Sequence, residues 1–330
     1  MSKIERIDIQ RIKGVKIGHE QDTFAGTGCT VLIAPNGAIG GVDVRGGAPA
    51  TRETDLLHPI NMVDTVHAVV LTGGSAFGLD AAGGVMRYLE QRQIGFDVGI
   101  HVVPIVCAAS LFDLHVGDGR VRPDASMGYR ACEAAFSETD LRQGNVGAGT
   151  GATVGKYMGP QRMMKAGVGH CALQVGSLLV GAVVAVNAMG DVLDEHTGRP
   201  LAGVLSEDGK RLCSTNELIL QDIGNPKNVF AGNTTIGCVV TNAILSKPQA
   251  TKLAQIAQNG YADVIRPVHT MNDGDTVFAL ALGEVGADPL ACGVLARMAV
   301  ACAVNNAVRE AKSAYGLQSA ADVSQGADAE

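Results

Sequence analysis

The segment Gly232-Asn233-Thr234-Thr235-Ile236-Gly237-Cys238-Val239-Val240 puts a polar Asn-Thr pair directly in front of an apolar run. That is the pattern of a strand entering a core. A threonine at such a place is ordinary while its amide is intact. If the Asn233–Thr234 bond is cut, Thr234 becomes an N-terminus with hydroxyl and amine on adjacent carbons. Nucleophile and base then share one residue, and no histidine is needed.

The chain can house that strand in a large core. Its 330 residues are 46% hydrophobic but only 4% aromatic, with no tryptophan. The core must be built from Val, Ile, Leu, Ala and Gly, with backbones close together. The formal net charge is −7 and the basic residues are scattered, which argues against a nucleic-acid surface. Met1-Ser2-Lys3-Ile4-Glu5-Arg6 leads into polar sequence without a signal-peptide pattern. The apolar run from Val175 to Val186 is too short for a bilayer and holds Gly and Ser. The expectation is a cytoplasmic protein that needs neither membrane nor nucleic acid. Eight cysteines lie mostly in apolar surroundings with no C-x-x-C pair. They read as free thiols, and no Cys/His pair has zinc-ligand spacing.

Strands and helices alternate irregularly. Val66–Leu71 reads as a buried strand, turned by Thr72-Gly73-Gly74-Ser75 into a helix ending near Arg92. Residues Gln174 to Asn187 are strand-rich and broken at Gly176 and Gly181. Ser246-Lys247-Pro248 caps a helix, Val277–Leu282 is a further strand, and Asp288-Pro289 opens a long Ala-rich helix to about Ala314. From Gln318 to Glu330 the composition is small and acidic, which predicts a disordered tail. No repeat or linker divides the chain, so 1–330 is expected to be a single domain of layered α/β or α+β type.

Several motifs compete for a chemical reading. Gly147, Gly149 and Ala152 satisfy a G-x-G-x-x-A fingerprint, but no strand precedes it and no acid follows at about twenty residues. Gly155-Lys156 imitates a P-loop ending, yet Thr150 stands where its first Gly belongs and Tyr157 follows the lysine. A glycine loop that lets backbone approach a small substrate fits better. Asp273-Gly274-Asp275 before a strand is either a solvated turn or a carboxylate pair tuning the new amine and hydroxyl of Thr234. Calcium is disfavoured because the remaining EF-hand acids are missing. Asn187, at the end of an apolar strand, is either a turn residue or an oxyanion donor. His67, His101 and His170 read as structural histidines.

Taken jointly, Leu71–Leu79, the Gly147–Lys156 loop, Gly232–Ile236 and Asp273–Thr276 resemble the DmpA-type family of self-processing N-terminal-nucleophile hydrolases. That family includes L-aminopeptidase/D-esterases, β-peptidyl aminopeptidases and nylon-oligomer hydrolases. The resemblance covers nearly the whole chain. It implies an α+β fold, a four-layer αββα sandwich of the DmpA and ornithine acetyltransferase-like type. It also implies autocleavage between Asn233 and Thr234, giving chains 1–233 and 234–330, and a homotetramer of cleaved protomers without cofactor or metal. By matched motif Thr234 is the nucleophile, Asp273 and Asp275 its supporting acids, and Lys156 and Asn187 positioning or oxyanion residues. Gly73, Gly74, Gly149 and Phe112 are candidates for the substrate pocket. The Thr plus Asp-Gly-Asp combination is similar to nylon-oligomer hydrolases, but Phe112 stands where those place a tyrosine, and it cannot donate a hydrogen bond. The expected activity is hydrolysis of short peptides or peptide-like amides through an acyl-Thr intermediate. Hydrolysis of nylon (6-aminohexanoate) oligomers, acyl transfer of the ornithine acetyltransferase kind and an uncleaved binding protein are the alternatives.

Overall fold

The computed structural model describes residues 3–137, 141–224 and 232–327. Ten of its strands join one hydrogen-bonded sheet. In chain order they are β1 (Glu5–Ile7), β2 (Lys16–Asp22), β3 (Thr27–Val44), β4 (Thr51–Arg52), β5 (Thr65–Thr72), β6 (Val106–Ser110), β7 (Val168–Val175), β8 (Leu178–Asn187), β9 (Thr234–Ala243) and β10 (Thr276–Val285). The spatial order is β1-β7-β8-β9-β10-β3-β5-β6-β4, with β2 also paired to β3. The helices are α1 (Ala81–Gln91), α2 (Ala125–Ser137), α3 (Thr215–Gln221), α4 (Lys247–Ala257), α5 (Asn259–Val264), α6 (Pro289–Arg309) and α7 (Ala320–Ala327).

The period of two along each strand sorts the core into layers. Leu32, Val69, Leu71, Cys107 and Ala109 of β3, β5 and β6 share one buried cluster with Val183, Ala185, Ile236, Cys238, Phe278 and Leu280 of β8, β9 and β10. These two sets come from opposite halves of the sheet, so the halves must face each other. The long β3 joins them, and its pairing with β5 breaks register between Ile33 and Ala38. The alternate residues face outward. Val31, Ile33, Ala68, Val70, Val106 and Ala108 pack on α1 and α2. Val184, Val186, Val239, Val277 and Ala279 pack on α4, α5 and α6. The result is helix, sheet, sheet, helix: the αββα sandwich.

Small residues set the layer spacing. A Cβ on Gly169 of β7 would stand 2.2 Å from the Ala303 carbonyl of α6, so that helix lies directly on the strand. By length and hydropathy alone α6 could cross a membrane, but 78% of its most apolar window is buried inside the protein.

Three expectations need correction. Gly176 does mark the β7–β8 turn, but β8 runs unbroken through Gly181. Helix α6 stops at Arg309 rather than near Ala314, because the chain turns there and Ala314 bridges back to Leu317. The tail is ordered at its start. The Gln318 carbonyl accepts from the Lys165 amide at 2.8 Å. Ser319 donates to Asp322 through both amide and hydroxyl at 3.0 Å, and α7 begins there. Acidic composition hid a helix start, since an acid in the first turn is what a helix N-terminus favours. Residues 328–330 lie outside the described ones.

Candidate active site

Thr234 opens β9, near the middle of the sheet. Antiparallel pairing with β8 sets Asn187 directly opposite it. Parallel pairing with β10 makes both strands start at the same end, so the Asp273-Gly274-Asp275 turn lies beside the Asn233–Thr234 junction. Asn233 forms a parallel bridge with Asp273. Four of the sequence candidates therefore converge for a topological reason: two strand starts and one strand end meet at one edge of the core.

With the Asn233–Thr234 bond intact, every carbonyl at the junction is held. The Asn233 oxygen accepts the Gly274 amide at 2.8 Å and the Thr234 hydroxyl at 2.5 Å. The preceding oxygen, on Gly232, accepts Lys156 Nζ at 3.2 Å and Asn187 Nδ2 at 3.3 Å. Gly232 has a φ of 46°, and a Cβ there would sit 2.1 Å from the Phe112 ring. Only glycine can turn the backbone left-handed under that ring.

Each supporting side chain is itself anchored. Asn187 Nδ2 also donates to the Phe112 carbonyl at 2.9 Å, and its Oδ1 accepts the Thr153 amide at 3.1 Å. Lys156 Nζ donates to the Asn187 carbonyl at 2.9 Å. Asp275 accepts the Thr235 amide at 2.7 Å through one oxygen, and the His269 amide and Nδ1 at 3.0 and 2.9 Å through the other. Asp273 accepts the Thr270 amide at 2.7 Å.

Burial perturbs the ionisable groups here. Lys156 falls to about 7 because its ammonium is desolvated, an effect that Asp273 and Asp113 oppose. Asp273 rises to about 6, first from burial and then from the negative charge of Asp275. Burial also raises the Asp113 carboxyl, against donors from Gly74 and Thr27. His115, stacked on Phe112 at 5.7 Å between centroids, is lowered to about 4 by burial and the Lys156 charge.

A cavity of about 150 Å³ opens at the junction, lined among others by Ser75, Ser110, Phe112, Asn233, Thr234 and Asn272. Phe112 lines this cavity. Gly73 and Gly74 stand behind it: Gly74 donates its amide to Asp113 at 2.7 Å, and the Gly73 carbonyl accepts Ser110 Oγ at 3.2 Å. Gly149 is elsewhere. It is buried, its carbonyl accepts the Lys165 ammonium at 2.9 Å, and it does not line this cavity. Its glycine loop shapes the site indirectly, through Thr153. Sequence reasoning missed Gly274 N–H, His269, Ser75, Ser110 and Asn272. A backbone amide carries no side-chain signal, though the Asp-Gly-Asp motif marked the right turn.

A threonine heading a central strand of an αββα sandwich, beside two acids and a backbone donor, defines an N-terminal-nucleophile type of hydrolase. The chain belongs to peptidase family S58, whose model matches residues 8–324. It is 45% identical over 296 residues to an uncharacterized aminopeptidase of Mycobacterium leprae, covering 84% of this chain and 79% of that one. It is 31% identical over 275 residues to the 6-aminohexanoate-oligomer endohydrolase of Kocuria sp. (strain KY2), covering 82% of this chain and 74% of the relative. The L-aminopeptidase D-Ala-esterase/amidase of Ochrobactrum anthropi, described as a variant of the Ntn hydrolase fold, superposes with a TM-score of 0.68. That match covers 91% of this chain and 85% of the other at 18% identity, and so speaks to the fold. The protein is a peptidase or amidohydrolase of this self-processing class.

Proposed function

We propose that Thr234 is the nucleophile of two successive reactions. In the first, its Oγ1 attacks the Asn233 carbonyl carbon. The C–N bond to Thr234 breaks, the hydroxyl proton ends on the departing amine, and an ester links Asn233 to Thr234. Water then hydrolyses the ester, releasing the Asn233 carboxylate and restoring the hydroxyl. The observation that carries this reading is the Gly274 amide on the Asn233 oxygen, 2.8 Å away, where negative charge would grow. Lys156 and Asn187 hold the Gly232 carbonyl one residue upstream, which supports a positioning role for both.

In the second reaction the freed Thr234 attacks an amide of a short peptide or peptide-like substrate with a free N-terminal amine. Its own amine, with an unperturbed pKa of about 7.7–8.0, accepts the hydroxyl proton, and water resolves the acyl-Thr intermediate. Asp275 is spent on Thr235 and His269, so it braces the nucleophile's strand, while Asp273 is the acid available to a substrate ammonium. The substrate acyl group takes the place of Gly232–Asn233 beneath Phe112. Oligomers of 6-aminohexanoate are a second reading, supported by the Kocuria relative's name. Here Phe112 offers them no hydrogen bond. A homo-oligomer belongs to the reading as well, supported by Leu290, Val294 and Met298, which lie exposed at four-residue spacing along α6.

Intact mass with N-terminal sequencing tests the first reaction. Pieces of 1–233 and 234–330 are expected from the wild type and a single chain from Thr234→Ala. Processing of that variant at Asn233 would sink the assignment.

A further inference from the structure

A second cavity lies apart from Thr234. It measures about 760 Å³ and lies where residues 199–212 pass the end of α6 and the start of α7. That volume is within the usual range of small-molecule sites, roughly 300–1,000 Å³. Arg199, Lys210, Arg211 and Arg309 supply the polar part of its described lining, and no acidic residue is among the described lining residues. The rest is apolar: Leu201, Leu212 and Val323 form a floor that packs directly against the core beneath α6.

Four cations in one cavity run against the composition of the chain, which has 33 acidic residues against 26 Lys and Arg. Like charges brought together repel unless something neutralises them. Among the described residues only Arg309 of the four has an ion-pair partner, Asp194. Asp208, in the same hairpin, is turned to Ser206 Oγ at 2.5 Å and to the Lys210 amide at 3.2 Å. The cationic side chains of Arg199, Lys210 and Arg211 are exposed at the rim above an apolar floor.

We propose that this cavity binds an amphiphilic organic anion, an apolar chain or ring that carries one carboxylate or phosphate. The apolar body would cover Leu201, Leu212 and Val323, and the anionic head would sit among the arginines and the lysine. Paired guanidinium groups suit a planar carboxylate or a phosphate better than ammonium groups do. The site is separate from the Thr234 cavity, and the inference does not depend on the function proposed there.

The test is calorimetric titration of the purified full-length chain with octanoate, with octanol and inorganic phosphate as the two halves of the ligand. Saturable binding of one octanoate per chain, tighter than either half, is expected. In the Lys210→Glu/Arg211→Glu variant binding should weaken at least about tenfold, the equivalent of about 1.4 kcal/mol. Both residues are exposed, so the melting temperature without ligand should match the wild type and separate lost binding from lost fold. Octanoate binding unchanged in this variant would overturn the proposal, as it would place the ligand elsewhere. So would octanol binding as tightly as octanoate, phosphate binding as tightly, or no saturable binding of octanoate at all.

Discussion

Gly274 and Thr234 meet at one atom: the amide of the first and the hydroxyl of the second both donate to the Asn233 carbonyl oxygen. One donor comes from the β10 side and the other from β9 itself, so the parallel pairing of these two strands builds the junction. The donor on Gly274 is backbone and cannot be truncated by changing a side chain. Gly274→Pro removes it. The time for half of the chain to process itself should lengthen by about a hundredfold or more, as for loss of a single oxyanion donor. Mass spectrometry over time reads the rate, and far-UV circular dichroism checks that the fold survives.

Thr234→Ser should still process and Thr234→Ala should not. The serine keeps the hydroxyl that replaces the peptide nitrogen at the Asn233 carbonyl, whereas alanine removes it. A time course of intact mass distinguishes them.

Asn233 is about 1% exposed, and among the described residues neither polar atom of its side-chain amide has a hydrogen-bond partner. Leaving such a group buried costs about 1–3 kcal/mol. Asn233→Ala should therefore leave the uncut chain no less stable, measured by chemical denaturation in the Thr234→Ala background. With Thr234 present, the same change should permit cleavage, because the catalytic geometry uses the Asn233 carbonyl and not its amide.

Lys156 should make stability depend on pH in the alkaline range. Its folded pKa, about 7, lies below the ordinary lysine value of 10.5, so between these limits the unfolded chain binds more protons. Stability from this group therefore rises as pH climbs from about 7 towards 10.5, by at most about 1.4 kcal/mol per pH unit. Asp273 acts with the opposite sign at lower pH. Its folded value is raised from 3.8 to about 6, so its contribution falls as pH rises through that window. Across pH 7–10 the stability of Thr234→Ala should rise relative to that of Thr234→Ala/Lys156→Met, as read from denaturation curves of the two, and an unchanged difference would clear the lysine of responsibility.

The strands were readable because they are apolar runs. Ile236–Val240 and Val277–Leu282 both fall inside strands that the structure confirms. Their pairing was not readable from periodicity, since nothing local says that β9 runs parallel to β10 and antiparallel to β8. The family resemblance implied the layered sandwich, and the pairing itself comes from the structure. Thr234, Asn187, Lys156 and Asp273 stand together at one end of the sheet, and the sequence pointed to them chiefly through the motifs that carry the family resemblance. His269 was missed, because its link to Asp275 spans a turn in which His269 itself has a φ of 59°. Gly149 misled for the reverse reason: a glycine loop near a site shows backbone proximity, and here the backbone it approaches is the protein's own.

Strand β9 is held on one side by β8 and on the other by β10, and β10 in turn by β3. A cut before Thr234 therefore severs the covalent chain without undoing a single rung between those strands. What changes is the route back. The intact chain assembles in a first-order process, but after the cut two polypeptides must find each other, so recovery after complete denaturation depends on dilution. Under the proposed cleavage the molecule would be made once, as one chain, and its working lifetime would then be governed by how slowly it comes apart.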